Sequence, residues 1–241
     1  MKNINSKNFR HWYKSIILEL FVFIFHYHTV QVIISKLILI LSRTSSEQLH
    51  MIQYKKMKEV NFMDDRMCNI ELNNEFRLLW EQHVYWTRIV IMGIAFNLPD
   101  LDCSSSRLLR NAPDFAEVFC RYYGRKNANE FGGLIRDHLI IAANLVNAAK
   151  IGNIEEASRQ ECKWYENADD IVCFLNHINP YWSVKKMKAM WYEHLGLTKD
   201  EAAAILTNRY CDSVEIFDQI EQEALMMADC FTEGILQQKY N

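Results

Sequence analysis

From Leu72 to the end of the chain, apolar side chains return at every third or fourth position, the spacing of one face of an α-helix. Leu72, Phe76, Leu79, Trp80, His83, Thr87, Val90, Ile91 and Ile94 form the first stripe, and Pro99 ends it. Ser104, Ser105 and Ser106 are candidate caps in the loop beyond, and Pro113 sits where a short helix would open. After a break at Gly124, a helix is expected from about Asn127 to Lys150, with Phe131, Leu134, Ile135, His138, Ile141, Ala142, Leu145 and Ala149 inward. Gly152 takes the usual C-terminal position of glycine. Asn153 and Glu156 make a capping box that opens the next helix, which turns Ile154, Ala157, Glu161, Trp164, Ala168, Ile171, Leu175 and Ile178 inward and stops at Asn179-Pro180. Ser183 caps a short helix through Tyr192 that ends at Gly196, and Thr198 with Glu201 reads as a further capping box. The last stretch runs to about Gln238 with a break near residues 208–212, and its stripe is Ile216, Phe217, Ile220, Ala224, Met227, Ala228, Phe231 and Ile235. Four long helices joined by short connections predict an all-α antiparallel helical bundle over residues 72–238, up-and-down in the ferritin-like or hemerythrin-like manner. No internal repeat stands out.

The chain changes character near Met63. Residues 1–62 lack helix caps and are rich in Ile, Leu, Phe, Lys, Asn, His and Tyr. Lys58-Glu59-Val60 can be encoded by AAG-GAG-GTN, a bacterial ribosome-binding sequence, with two codons between it and the ATG of Met63. A native start at Met63, with residues 1–62 a translated leader and residues 63–241 the helical bundle domain, is one expectation. Residues 16–41 supply the second: they are apolar and long enough for a membrane helix. Against it stand Glu19, His26, His28, Gln31 and Lys36, which are costly in lipid. A third is an extra helix packed on the domain. The corresponding locations are cytoplasmic or membrane-anchored through 16–41.

Charge narrows the function. The whole chain is −3, yet residues 1–62 carry nine Lys/Arg against three Asp/Glu, and the remainder carries eighteen against twenty-seven, a net −9. An acidic body of this kind argues against nucleic acid as a partner. Neither G-x-x-x-x-G-K-[ST] nor G-x-G-x-x-G occurs, so no nucleotide is expected, and G-x-S-x-G is also missing. The seven cysteines all follow Met63, form no C-x-x-C and are odd in number, which reads as reduced cytosolic usage with Cys as a small core residue. A homo-oligomer stays open.

Candidate chemistry centres on His83 and His138, inward positions on two different helices. Each buried imidazole needs partners for two nitrogens. Glu221, on the stripe of the last helix, and Asp218 beside it are the carboxylates chosen to complete a site; Glu81, Asp137, Glu161 and Asp229 are also available. His and carboxylate groups in a bundle core hold iron, manganese or zinc, so a divalent metal ion is the cofactor in question. The Glu-x-x-His signature of di-metal bundles is absent after Met63 and occurs only as Glu47-Gln48-Leu49-His50. The alternative is a structural or interaction bundle in which the two histidines fix core register. Asn167 and Asp169 border a stripe and read as helix-edge residues, while His177 and His194 read as helix C-terminal caps.

Several stretches resemble one family. Leu79-Trp80-Glu81-Gln82-His83-Val84-Tyr85-Trp86-Thr87-Arg88, Asp137-His138-Leu139-Ile140-Ile141-Ala142 and Trp164-Tyr165-Glu166-Asn167-Ala168-Asp169 are similar to an uncharacterised all-helical family of spore-forming Firmicutes. So are Leu98-Pro99-Asp100, Arg107-Leu108-Leu109-Arg110-Asn111, Ile178-Asn179-Pro180-Tyr181-Trp182 and Ala224-Leu225-Met226-Met227-Ala228-Asp229. The resemblance covers nearly everything after Met63. It implies that an acetylglutamate kinase label can accompany such chains. The residues argue against that label, because the kinase fold is α/β with glycine-rich phosphate loops. The family often has Glu at the position of Asp137, and the resemblance carries no established activity.

Overall fold

The computed structural model describes the backbone of residues 6–240, and the side chains of residues 6–25, 27, 28, 45–47 and 60–65 lie outside the description. Six helices follow one another: α1 (Ser6–Phe96), α2 (Leu101–Leu109), α3 (Asn111–Lys150), α4 (Ile154–Ile178), α5 (Val184–Leu206) and α6 (Tyr210–Tyr240). There is no strand among the described residues, as the spacing of apolar positions requires. The chain divides into two compact units, Met1–Asp65 and Arg66–Asn241, and α1 contributes to both. In the first unit the described side chains from Val30 to Leu41 are exposed. No helix among the described residues is long and apolar enough to cross a membrane. Of the candidate span 16–41, residues 16–25, 27 and 28 fall outside the described side chains, as does the junction at Met63.

Within the second unit, up-and-down connection follows from how the helices stop. The ends of α1, α3 and α5 share one device. Asn97, Gly152 and Asn208 take left-handed φ values of 55°, 72° and 63°. The next amide then bonds back five residues: Leu98 N–H to Gly93 O at 3.0 Å, Asn153 N–H to Ala148 O at 3.0 Å and Arg209 N–H to Ala204 O at 2.8 Å. This is the Schellman closure, which satisfies carbonyls that a helix end leaves bare. Opposite ends are set by side-chain caps: Asn153 accepts from Glu156 N–H at 3.1 Å, and Ser183 from Lys186 N–H at 3.3 Å. Gly124, at φ 75° and ψ 166°, kinks α3 into two rods that the sequence reads as separate helices.

The core is built from aromatic rings. Phe76, Trp80, Phe115, Phe119, Phe131, Trp182 and Phe231 are buried, with Phe119 stacked on Phe131 at a ring separation of 4.0 Å. Gly234 makes room for Trp182, since a Cβ there would stand 2.0 Å from the indole Nε1. That indole donates to Cys230 O at 3.1 Å. Four local expectations give way. Ser104, Ser105 and Ser106, read as caps in a loop, lie inside α2. Helix α5 continues through Gly196, so Thr198 and Glu201 are mid-helix and buried instead of forming a cap. Ile154, expected inward, is 83% exposed at the first turn of α4, before the helix reaches its neighbours. Of the cysteines only Cys230 is buried; Cys120 is half-buried and the other five are exposed.

Candidate metal centre

Three imidazoles meet at the middle of the second unit. His83 on α1, His138 on α3 and His194 on α5 each offer one ring nitrogen, and these nitrogens lie within 4.8 Å of one another. The residues are 1%, 1% and 2% exposed. Each histidine sits on the buried stripe of its helix, three residues after Trp80, Ile135 or Trp191, all fully buried. Each is followed by a buried apolar residue, Val84, Leu139 or Leu195.

A second helix fixes each ring. His83 Nδ1 lies 2.9 Å from Asn111 Oδ1, His138 Nδ1 2.9 Å from Asn167 Oδ1, and His194 Nδ1 3.0 Å from Glu223 Oε2. The amide groups of the two asparagines are committed elsewhere: Asn111 donates to Leu79 O at 3.0 Å and Asn167 to Leu134 O at 3.1 Å. Those bonds leave only the oxygen of each asparagine facing its imidazole. Nδ1 must therefore carry the proton, and Nε2 presents a lone pair. A carboxylate accepts but does not donate, so an ionised Glu223 fixes His194 in the same tautomer. Trp164 supplies an independent check, because its indole N–H donates to His138 Nε2 at 3.1 Å.

Burial keeps two of the rings neutral. It lowers the His83 pKa to about 3, with the neighbouring His194 adding to the effect and Asn111 opposing it. His138 is held well below the usual histidine range by burial and then by His83 and His194, against Asn167. Neutral imidazoles with oriented Nδ1–H donors are the form in which histidine binds a metal. The three nitrogens stand close enough for one ion to be shared, and the lone pair of His138 is taken by Trp164.

Some polar atoms around the cluster have no partner. Buried Trp80 Nε1, Trp191 Nε1 and Glu223 Oε1 make no hydrogen bond. The Trp80 ring lies 5.2 Å from His83 and 5.8 Å from His194, and the Trp191 ring 5.2 Å from His138. Two N–H donors and a carboxylate oxygen therefore stand open in the residues packed on the cluster.

His83 and His138 come together as the sequence predicts, but the two chosen carboxylates do not join them. Asp218 is exposed and Glu221 half-buried; burial, and after it the charge of Glu221, raises the pKa of Glu81. The buried stripe of α6 passes through Ile220, Glu223, Ala224 and Met227, and Glu221 lies one residue off it. Of the other acids, Asp229 is taken by Arg77 at 2.7 Å and Glu161 by Lys199 at 2.7 Å. Among the described residues no acid joins the histidine cluster as a ligand. His194 and Asn167, read as a cap and a helix edge, are the third imidazole and a partner of the second.

A repeat in the sequence marks all six positions. His83 and Asn111 are 28 residues apart, His138 and Asn167 are 29, and His194 and Glu223 are 29. Each partner is followed by a buried alanine: Ala112, Ala168 or Ala224. The left-handed residues Asn97, Gly152 and Asn208 each follow a site histidine by fourteen positions. The unit is thus three helical hairpins of one plan, each bringing an imidazole and its own acceptor. Comparison with protein-family models, with curated proteins and with solved structures finds no match for this chain.

Proposed function

We propose that the chain binds one divalent transition-metal ion, iron, manganese or zinc, through Nε2 of His83, His138 and His194. The convergence of three tautomer-fixed lone pairs carries this reading. Imidazole suits these ions, and three protein ligands leave a coordination position open, the arrangement of catalytic more than structural sites. Asn111, Asn167 and Glu223 are the outer partners that orient the ligands. Metal entry replaces the Trp164 N–H bond to His138 Nε2. The ion would take the space between the three ring nitrogens. Free cysteines throughout suit a reducing, cytoplasmic setting.

Elemental analysis of the purified full chain tests the proposal. One equivalent of metal is expected, lost in His83→Ala, His138→Ala and His194→Ala alike. Metal far below one equivalent, or unchanged by these substitutions, overturns it. The competing reading, in which the histidines only fix core register, makes an opposite statement about metal-dependent stability. Under it, one equivalent of zinc leaves the unfolding midpoint unchanged. Under the metal proposal zinc raises the midpoint, and the rise is lost in His194→Ala.

A further inference from the structure

One helical turn beyond the three imidazoles lies a cavity of about 110 Å³. Its floor repeats the plan of the cluster: Thr87, Ala142 and Thr198, each four residues after a site histidine, all line it. Trp164 is a wall shared by both, since its ring borders the cavity while its N–H reaches His138. The rest of the lining is Val, Ile, Leu and Ala, apart from Lys199. Alanines create the space, because Ala142, Ala202 and others stand where larger side chains would meet between α3 and α5. Ala203 lines the cavity and is exposed, so it opens toward the surface.

The walls offer little to water. Of the four polar residues that line it, Thr87 gives its hydroxyl to His83 O at 2.7 Å and Lys199 its amine to Glu161 at 2.7 Å. Trp164 gives its N–H to His138, which leaves Thr198; a metal on His138 would free that N–H as a second polar group. A held water needs roughly two to four polar partners, whereas an apolar cavity of roughly 150 Å³ stays dry and takes up xenon or benzene.

We propose that this cavity binds a small neutral non-polar molecule, of the class of diatomic gases such as dioxygen, beside the three-histidine site. The choice of a metal-reactive gas rests on the metal reading; occupancy of the cavity does not. Xenon is the first probe, used on the full chain in solution by xenon NMR. A saturable shift is expected, and it disappears in Ala202→Leu, which fills the space. The second probe is nitric oxide on the iron(II)-loaded chain, followed by stopped flow. In Ala202→Leu, iron content is unchanged and association slows by about tenfold, within the one to three decades over which on-rates vary among variants. No saturable xenon shift in the unmodified chain overturns the proposal, and so does an unchanged nitric oxide rate in a variant that has lost xenon. If the chain takes up no iron, the metal reading fails, while the xenon result still judges the cavity. If Ala202→Leu does not fold, the xenon result on the unmodified chain decides.

Discussion

An imidazole in a dry core is tolerated while it is neutral, and pH therefore reads out the cluster. In the unfolded chain His83 and His138 take up protons near pH 6.5; folded, they resist until far lower, His83 until about 3. The unfolded state binds more protons in that window, so their contribution is complete above pH 6.5 and is lost as pH falls. Glu201 acts in the opposite sense: burial pushes its carboxyl up to about 7 against Arg88, so the folded state holds a proton that the unfolded state lacks above pH 4.5. The two depressed histidines outweigh Glu201 and the smaller upward shift of Glu81, so stability rises with pH between roughly pH 4.5 and 6.5, by about 1 kcal/mol per pH unit. Urea unfolding of metal-free protein across that window measures it, and a flat or falling profile would show that the rings are not kept neutral by burial. A second test concerns Glu223, the one charged partner among two amides. Glu223→Gln is expected to weaken metal binding by about tenfold to hundredfold, as loss of an outer-shell carboxylate does. Competition against a chromophoric chelator gives the number, and equal affinity would remove Glu223 from the site. His83 and His138 were legible because a 3.6-residue period places them inward. Their asparagines were not, since which amide faces which ring depends on a neighbouring helix 28 or 29 residues away.

Helix ends decided which residues could be read. Ser183, Asn153 and Gly152 behave as their sequence signals state, because capping is a local exchange of hydrogen bonds. Gly196 followed by Thr198 gives the same signal, yet α5 runs straight through both to Leu206. Burial of Leu195, Ala202 and Ile205 in the core outweighs the modest penalty of a mid-helix glycine, about 1 kcal/mol. Reading a helix end there moved His194 from the centre of a helix to its end and hid the third imidazole. A different glycine is fixed by space. In Gly234→Ala the new methyl meets the Trp182 indole, which is also held by Cys230 O at 3.1 Å. A loss of about 1–3 kcal/mol is expected from such overpacking. Denaturant midpoints check it, and a change within error would mean that α6 shifts freely relative to Trp182.

At the scale of the whole unit, the bundle was legible and its plan was not. Periodicity supplies helices and their order, but the three hairpins share almost no residues beyond His, a buried partner with alanine after it, and a left-handed end. Those few positions are the ones where packing allows little choice: an imidazole, its acceptor, a small neighbour and a residue that tolerates positive φ. Everything between them needs only to be apolar on one face, so the repeat has faded there.

Because every imidazole finds its acceptor within its own hairpin, the order in which the hairpins are strung together is immaterial to the centre. Tyr240 Oη donates to Asn69 Oδ1 at 3.3 Å, so the unit's first and last turns already touch. Gly124 lies between the first hairpin and the second. The fold is in effect a closed ring of three links that the gene happens to cut at one joint. A circularly permuted chain, rejoined by a short linker from residue 240 to residue 69 and opened at Gly124, keeps all three links whole. It is expected to fold and to bind metal with the stoichiometry of the native order, whereas opening within α5, between His194 and its turn at Asn208, cuts a link and abolishes binding.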